Sequence, residues 1–309
     1  MLNPMLTRKQ DSLQGCLIGL ACGDAVGTTL EFCPRHRIKQ GVQDMVGGGK
    51  FRLAAGKWTD DTSMALCLAE SLLSSKGFNL NNQLEYYCRW AFEGYNSSLS
   101  YGFGLGQTTV YSLCHFRRTG QAITTPTKDG NGALMRLAPI AIFYHNNLTQ
   151  CIHYAEQSVK ATHLSADCFS ANRYFAEVLY RIFQGENDKD RLFTHLQPYA
   201  WSKAMERLFN LEFKSKNSDE ISSSGYVIDT LEAAIWAFYH SDNFEQTILN
   251  AANLGEDADT VAAVAGQIAG AFYGLSHIPE QWKQRLFQYK RILTIANQLI
   301  INAPLDLTE

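Results

Sequence analysis

The chain has 309 residues, of which 46% are hydrophobic, and carries a formal net charge of −3 at pH 7. This apolar content is enough for a large buried core, and the length allows either one large domain or two. The slightly acidic charge argues against a general nucleic-acid binder and against a protein held on a membrane surface by basic residues. No apolar run reaches the roughly 18 residues that a membrane-spanning helix needs.

The eight cysteines are scattered along the chain and form no CxxC pair. Several lie inside apolar runs, as Cys67 does between Leu66 and Leu68. This pattern is typical of buried free thiols, so it predicts a cytoplasmic protein without a disulfide framework or a zinc site. The first residues also lack the ordered basic and apolar regions of a signal peptide.

Apolar residues recur at helical spacing through most of the chain. The clearest stripe, with spacing i, i+3, i+4 and i+7, comprises Leu231, Ala234, Ile235 and Phe238. No alternating pattern of useful strand length occurs. The segments predicted to be helical are 11–30, 62–76, 81–94, 108–118, 132–146, 150–160, 165–184, 197–210, 228–240, 243–252, 260–274 and 280–300. We therefore predict an all-α fold, a single compact multi-helix domain spanning residues 1–309 with its core at about 11–300.

The first predicted helix carries a glycine at every fourth position, at Gly15, Gly19, Gly23 and Gly27. Each glycine inside a helix costs about 1 kcal/mol relative to alanine, so this ridge must bring a compensating gain. Close approach of a neighbouring helix is the favoured explanation, and direct contact with a ligand is the alternative.

Glu31 follows the glycine-bearing helix and stands between Leu30 and Phe32. A lone glutamate at a helix end is usually solvated. The apolar neighbours also allow a partly desolvated acid whose pKa lies above the usual range. Both interpretations stay open from the sequence.

An acidic motif, Thr-Asp-Asp-Thr at residues 59–62, opens an apolar helical stretch. Alone, it is explained by a helix N-terminus at which Thr59 is the N-cap, while Asp60 and Asp61 complement the positive end of the helix dipole. Both carboxylates can serve one site only at a helix start, because consecutive helical residues point about 100° apart.

Two glycine-rich turns follow, Gly-Phe-Gly-Leu-Gly at 102–106 and Gly-Asn-Gly at 130–132. Free N–H groups at such a turn can receive a diphosphate, although glycine turns are common. His163 lies between two predicted helices, where it is either incidental or a ligand contact.

A second acidic motif, Asp-Ala-Asp-Thr at residues 257–260, lies nearly two hundred residues after the first and also opens an apolar helix. Alternation by two sends Asp257 and Asp259 to the same side, as two ligands would need. Finding this composition twice favours one cluster of four carboxylates and two threonine hydroxyls over two unrelated helix starts. Such hard oxygen ligands suit Mg²⁺ or a similar ion, and four aspartates would hold two ions.

The order of these features resembles that of the ADP-ribosylglycohydrolase family, which includes the dinitrogenase reductase-activating glycohydrolase and the ADP-ribosylarginine hydrolases. The resemblance covers about residues 11–300, and its most specific features are the two aspartate motifs with the glycine turn at 130–132 between them. It implies an all-α fold of this type with a binuclear Mg²⁺ centre, or in some members Mn²⁺, in a cleft.

By position, the resemblance also implies roles for matching residues. The implied metal ligands are Thr59, Asp60, Asp61, Asp257, Asp259 and Thr260. The implied catalytic residues are Glu31, beside the metals and the distal ribose, Asp60 and Asp259. The implied ADP-ribose contacts are Asn131, His163 and Tyr226. Asp129 is a further substrate-binding candidate, near a position where some members have an acidic residue proposed as a base. The glycine turns add Gly102, Gly104, Gly130 and Gly132 as candidate substrate-binding residues. Family members commonly have two glycines before the second motif, whereas this chain has Gly255 and Glu256, so the role of Glu256 stays open.

The activity implied is hydrolysis of the bond between ADP-ribose and a protein side chain, with arginine as the acceptor expected first. Serine, an O-acetyl ester and a nucleobase remain alternatives. The partners expected are an ADP-ribosylated protein as substrate and ADP-ribose as product, with no membrane or general nucleic-acid binding, and the protein is taken as a monomer. A non-catalytic binding, immunity or structural role is the competing hypothesis, but the presence of all six implied ligands favours an enzyme. A metallohydrolase acting on another substrate is a third.

Overall fold

The computed structural model describes residues 4–305 of the chain. Within that range fourteen α-helices are joined by loops and six short 3-10 turns, and the only β-type pairings are two isolated bridges. The helices are α1 (Pro4–Gly27), α2 (Asp60–Ser75), α3 (Leu80–Glu93), α4 (Gln107–Thr119), α5 (Ala138–Phe143), α6 (Leu148–Val159), α7 (Ala166–Phe183), α8 (Lys189–Leu192), α9 (Glu206–Phe209), α10 (Val227–Tyr239), α11 (Phe244–Ala252), α12 (Ala258–Tyr273), α13 (Glu280–Arg285) and α14 (Tyr289–Ile301).

Helices α1 and α12 run antiparallel through the centre of the molecule with their backbones in contact. A Cβ atom added at Gly19 would lie 2.1 Å from the carbonyl oxygen of Gly266, and one added at Gly15 would lie 2.1 Å from that of Gly270. At the other end, a Cβ on Gly27 would meet the carbonyl oxygen of Ala258 at 2.3 Å. The glycine ridge therefore serves close helix packing, the favoured explanation of its cost.

The remaining long helices surround this pair. Helices α10 and α11 pack against α12, and α14, α2 and α5 pack against α1 and against one another. Helix α7 joins the two sides through contacts with α6, α10 and α12. No helix within residues 4–305 has both the length and the apolar character that crossing a membrane requires. All eight cysteines are free thiols, as the sequence predicts, and five of them are buried.

Three predicted helices are wrong in extent. In the segment 132–146 only Ala138–Phe143 is α-helical, because Pro139 is tolerated in a first helical turn and not in a helix interior. In the segment 197–210 only Glu206–Phe209 is α-helical, and the chain around Pro198 is irregular.

The third wrong prediction is a continuous helix over 280–300, which is interrupted between α13 and α14. The backbone N–H of Phe287 donates to the carbonyl oxygen of Gly56 at 2.9 Å, a contact with a distant loop. Gln288 then takes a left-handed conformation, with φ of 55°, which ends one helix before the next begins. Helical periodicity alone does not indicate such a long-range contact.

Candidate active site

The site begins with Asp24, a buried aspartate in the last turns of α1. Its carboxylate accepts hydrogen bonds from the backbone N–H of Thr59 at 2.9 Å and of Thr62 at 3.0 Å. It also accepts from both threonine hydroxyls, at 2.8 and 2.6 Å. Thr59 is the N-cap residue of α2 but makes no capping bond with its own side chain. A carboxylate from α1 therefore caps α2, which fixes the start of α2 at the carboxyl end of α1.

The same end of α1 meets the start of α12, and this contact brings the two acidic motifs together. The hydroxyl of Thr59 lies 2.8 Å from Asp24, 3.0 Å from Asp61 and 3.3 Å from Asp259, in each case to a carboxylate oxygen. One oxygen from each of these three aspartates lies within 4.8 Å of the others. A hydroxyl has a single proton to donate, so it cannot satisfy three carboxylates at once.

Burial makes this cluster electrostatically unfavourable without a counter-charge. Burial and the neighbouring carboxylates of Glu31 and Asp24 hold the pKa of Asp60 well above its usual range. Burial has the same effect on the pKa values of Asp61 and Asp259. Burial, reinforced by the charges of Asp257 and Asp24, raises the pKa of Glu31 to about 8. In the absence of cations, the cluster therefore retains protons near neutral pH.

A divalent cation fits this set of oxygen donors. The Oδ1 atom of Asp61 and the Oε2 atom of Glu31 are buried and have no hydrogen-bond partner. An unpartnered buried carboxylate oxygen carries a large desolvation cost unless a cation or proton meets it. Carboxylate and hydroxyl oxygens are also the donors that Mg²⁺ and Mn²⁺ prefer.

A cavity of about 420 Å³ opens directly above the cluster, a volume within the range of small-molecule sites. Loops and helix starts from seven separate parts of the chain form its wall. The lining residues are Glu31, Phe32, Asp60, Gly104, Gly106, Gln107, Thr108, Thr109, Gly130, Asn131, Gly132, Met135, His163, Ser224, Gly225, Glu256, Asp257, Asp259 and Thr260.

The glycine turn at residues 130–132 forms one wall of the cavity and is tied to the second acidic motif. The Asn131 side chain donates from Nδ2 to Asp257 at 2.6 Å and to the hydroxyl of Thr230 at 2.8 Å. The ring of His163 lies against the turn, since a Cβ on Gly132 would be 2.7 Å from its Cε1 atom. Asn131 and His163 are thus brought to the same wall.

Not every predicted residue reaches the cavity. Gly102 packs on the carboxyl end of α3, where an added Cβ would meet the carbonyl oxygen of Trp90 at 2.6 Å. Asp129 and Tyr226 lie beside the glycine turn but do not line the cavity. The phenol of Tyr226 instead donates to the carboxylate of Asp167. A direct contact of Gly102, Asp129 or Tyr226 with a ligand is therefore not supported by the geometry.

Thr59 and Asp61 lie beneath the cavity rather than in its wall, and both are fully buried. By contrast, Gly104 reaches the cavity and lies so close to Asp60 that a Cβ there would be 2.3 Å from its Oδ1. The first acidic motif therefore presents one aspartate to the cavity and one to the cluster below it.

Several residues of the site were not predicted from the sequence. Asp24 is the only charged residue between Gly15 and Gly27, and a charge inside so apolar a helix was the signal available. Phe32 and Thr108 also line the cavity, and no sequence pattern distinguished them. Glu256, whose role the sequence left open, lies on the cavity wall.

The sequence model of the family described as ADP-ribosylglycohydrolase matches residues 5–306. The chain belongs to the ADP-ribosylglycohydrolase family. The family resemblance and the prediction of a glycohydrolase acting on ADP-ribose bonds are therefore confirmed.

Individual relatives agree with the family match. A protein named ADP-ribosylarginine hydrolase Tri1 from Serratia proteamaculans (strain 568) is 45% identical over 95% of this chain and 80% of its own length. A protein of the same name from Pseudomonas putida (strain GB-1) is 42% identical over 95% of this chain and 79% of its own length.

A solved structure described as an ADP-ribosylglycohydrolase-related protein complex has 35% sequence identity and a TM-score of 0.86. The match covers 96% of this chain and 100% of that chain. The predicted all-α fold of the ADP-ribosylglycohydrolase type is therefore confirmed.

Proposed function

We propose that this ADP-ribosylglycohydrolase removes ADP-ribose from arginine side chains of modified proteins and depends on a divalent cation. The observation that carries the proposal is the convergence of the two acidic motifs beneath a cavity that has a glycine turn in its wall. Two relatives at 42% identity or more are named ADP-ribosylarginine hydrolases, which supports the arginine linkage.

The cation is proposed to be Mg²⁺, with Mn²⁺ as the alternative. Six residues would hold two ions: Thr59, Asp60, Asp61, Asp257, Asp259 and Thr260. When bound, the ions would supply Lewis-acid chemistry that increases the acidity of water and orients substrate hydroxyls. Asp24 does not belong to this set in our proposal, because the backbone and hydroxyl groups of Thr59 and Thr62 occupy its oxygens.

Two walls of the cavity are proposed to hold the substrate. The turn at 130–132 and His163 would receive the diphosphate, since backbone N–H groups at a helix or turn start are suited to phosphate. The distal ribose would then lie over the carboxylate cluster, with its anomeric carbon toward Glu31.

Glu31 is proposed to move the proton in the reaction. Water attacks the anomeric carbon as the bond to the guanidine nitrogen breaks, and Glu31 accepts the proton that the water loses. The departing guanidine then takes a proton from Glu31 and leaves as guanidinium. Burial favours this role because it raises the proton affinity of the Glu31 carboxylate, whose side chain is only 7% exposed.

The rim of the cavity offers a place for the guanidinium. The Phe32 side chain is 60% exposed, and Glu256 is exposed beside it without an ion pair among the described residues. Two backbone hydrogen bonds join these segments. The Phe32 N–H donates to the backbone carbonyl oxygen of Glu256, and the Glu256 N–H donates to that of Cys33. Arg35 interacts electrostatically with Glu256 but forms no ion pair with it. An aromatic face next to this carboxylate favours a planar cation over a neutral serine linkage.

Comparison of two linkages tests this proposal. ADP-ribose release would be measured by chromatography from an arginine-modified protein and from a serine-modified peptide, both with Mg²⁺. We expect release from arginine to be the faster. The Glu256→Gln variant should raise KM for the arginine substrate about 2- to 5-fold. Glu280→Gln, which changes an exposed glutamate on α13, should not alter it.

Faster release from serine would contradict the arginine assignment. Binding of ADP-ribose without release from either linkage would contradict the enzymatic proposal and favour a non-catalytic binding role. An unchanged KM in Glu256→Gln would remove Glu256 from the recognition of the acceptor.

A further inference from the structure

Arg136 is a fully buried cation behind the cavity wall. Its guanidinium lies 4.6 Å from the centre of the Tyr87 ring and donates from Nη2 to the hydroxyl of Thr162 at 2.8 Å. It also donates to the Ser158 carbonyl oxygen at 3.3 Å. None of the ion pairs among residues 4–305 includes it. A buried arginine without a carboxylate partner is costly, so a role beyond packing is expected.

The contact with Thr162 determines the direction of the next hydrogen bond. Arginine can only donate, so the Thr162 oxygen is the acceptor in that pair and keeps its own proton to donate. Within residues 4–305, the only acceptor near this hydroxyl is Nδ1 of His163, at 2.7 Å. The arrangement that gives the Thr162 proton an acceptor has Thr162 donating to Nδ1, and the neutral ring then carries its proton on Nε2.

The Nε2 atom faces the glycine turn at the cavity wall. A Cβ added at Gly130 or at Gly132 would lie 3.2 Å from Nε2. His163 lines the cavity, and no hydrogen bond from Nε2 to a described residue occurs. The turn and the ring thus present an N–H donor to the cavity, next to glycines whose lack of side chains leaves room for a ligand.

The ring also stays neutral at physiological pH. Burial first, and the nearby charge of Arg136 second, lower the pKa of His163 to about 3. A protonated ring would set its Nδ1–H against the hydroxyl proton of Thr162 and its charge against the guanidinium. The electrostatics therefore keep the ring neutral, and the hydrogen-bond geometry favours one of its two neutral tautomers.

We propose that Arg136 and Thr162 are positioning residues that hold His163 in its Nε2–H tautomer, so that it donates to a phosphate oxygen of the ligand. The identity of that ligand as ADP-ribose rests on the proposed function. A buried relay of this kind would keep the donor constant while pH varies around neutrality.

The first test is the tautomer of His163 in the wild-type protein. Long-range ¹H–¹⁵N spectra of histidine-labelled protein distinguish a protonated from an unprotonated ring nitrogen, and His163→Ala assigns the signals. We expect an unprotonated Nδ1 and a protonated Nε2 from pH 6 to 8. A ring protonated on Nδ1 would overturn the proposal without any substitution in the relay.

The second test is the Thr162→Val variant, which keeps the shape of the side chain and removes the hydroxyl. We expect both tautomers of His163 to become populated and the Kd for ADP-ribose to rise about 3- to 10-fold. Thr162→Ser keeps the hydroxyl and should preserve both the tautomer and the Kd. In the His163→Ala background, Thr162→Val should have no further effect on Kd, because the two act through one ring.

The outcomes separate the two proposals. A wild-type protein that binds no ADP-ribose would overturn the proposed function and with it the ligand named here. A wild type that binds ADP-ribose, beside a Thr162→Val variant with unchanged tautomer and Kd, would overturn the positioning role alone.

Discussion

Glu31 is a buried acid whose environment differs from that of an ordinary glutamate at a helix end. Its Oε2 atom is buried without a partner, and Asp60 of the first acidic motif and Asp257 and Asp259 of the second lie around it. The sequence left a solvated and a desolvated glutamate open, and the structure decides for the desolvated one. Burial is the main cause of its raised pKa, and the neighbours Asp257 and Asp259 are more than two hundred residues away in the chain, so local composition could not identify this environment.

Replacement of this acid separates catalysis from binding. Glu31→Gln keeps the size of the side chain but removes its ability to accept a proton. We expect kcat to fall by at least about 10²-fold, while the Kd for ADP-ribose changes little. Rates would be followed by release of ADP-ribose, and Kd by calorimetry. Comparable losses in kcat and in affinity would make Glu31 a binding residue only.

Asp24 is a site residue that lies outside both contiguous acidic motifs. The motif at residues 59–62 and the one at 257–260 were recognisable because their carboxylates are adjacent in the sequence. Asp24 acts on Thr59 and Thr62, which follow it by 35 and 38 residues. Sequence spacing cannot show that one helix caps another, and only the unusual charge in an apolar helix indicated that Asp24 had a partner.

At the scale of helices, the contact between α1 and α12 positions the site. The predicted glycine ridge on α1 meets small residues that also recur every fourth position on α12, namely Ala258, Ala262, Gly266 and Gly270. This second ridge was visible in the sequence and would have identified α12 as the partner. Because the pair is antiparallel, it places the carboxyl end of α1 beside the acidic start of α12.

The α1–α12 contact predicts that one methyl group added at Gly19 destabilises the fold. In Gly19→Ala the new Cβ would lie 2.1 Å from the Gly266 oxygen, and both partners are backbone that cannot rotate away. We expect the free energy of unfolding to fall by about 1–3 kcal/mol, despite the better helix propensity of alanine. Urea denaturation measures this change.

Gly106→Ala is a suitable control for stability. Gly106 has an ordinary φ of −67°, and an added Cβ would meet no atom within 4 Å. Because Gly106 is the N-cap of α4, where glycine is preferred over alanine, we expect a loss of no more than about 1 kcal/mol. If Gly19→Ala proved as stable as this control, the two helices would not be in backbone contact.

At the scale of the whole molecule, the acidic cluster links stability to pH and to cations. The pKa of Glu31 is about 8 in the folded protein, above its ordinary value of 4.5, so the folded state binds more protons than the unfolded state between these values. Stability of the metal-free protein must therefore fall as pH rises through this interval. Two buried histidines act in the opposite sense, because the pKa values of His145 and His163 are lowered to about 4 and about 3. Their effect is confined to pH below about 6.5.

Between pH 6.5 and 8, the histidines no longer contribute, so the change in stability reports the titration of the carboxylates. In EDTA we expect Tm to decrease across this window by at least about 2–4 °C. Mg²⁺ should raise Tm more at pH 8 than at pH 6.5, because fewer protons then compete for the carboxylates. Differential scanning calorimetry measures both effects. A Tm that is constant or rises with pH in EDTA, or that does not change when Mg²⁺ is added, would contradict a buried, cation-binding carboxylate cluster.

Much of the architecture was predictable, since apolar periodicity located most helices and the two motifs indicated the acidic site. The interruption at Gln288 was not, because it depends on a backbone contact with Gly56. The single-domain organisation over residues 1–309 stays a prediction.

The most direct test of the account is the rate of ADP-ribose release from an arginine-modified protein, measured in EDTA and after Mg²⁺ is restored, for the wild type and Asp259→Asn. We expect wild-type release to stop in EDTA and to return with Mg²⁺. The variant, with helix content near wild type by circular dichroism, should be at least about 10²-fold slower. Release that persists in EDTA, or full activity in Asp259→Asn, would contradict a cation-dependent site built from the two acidic motifs.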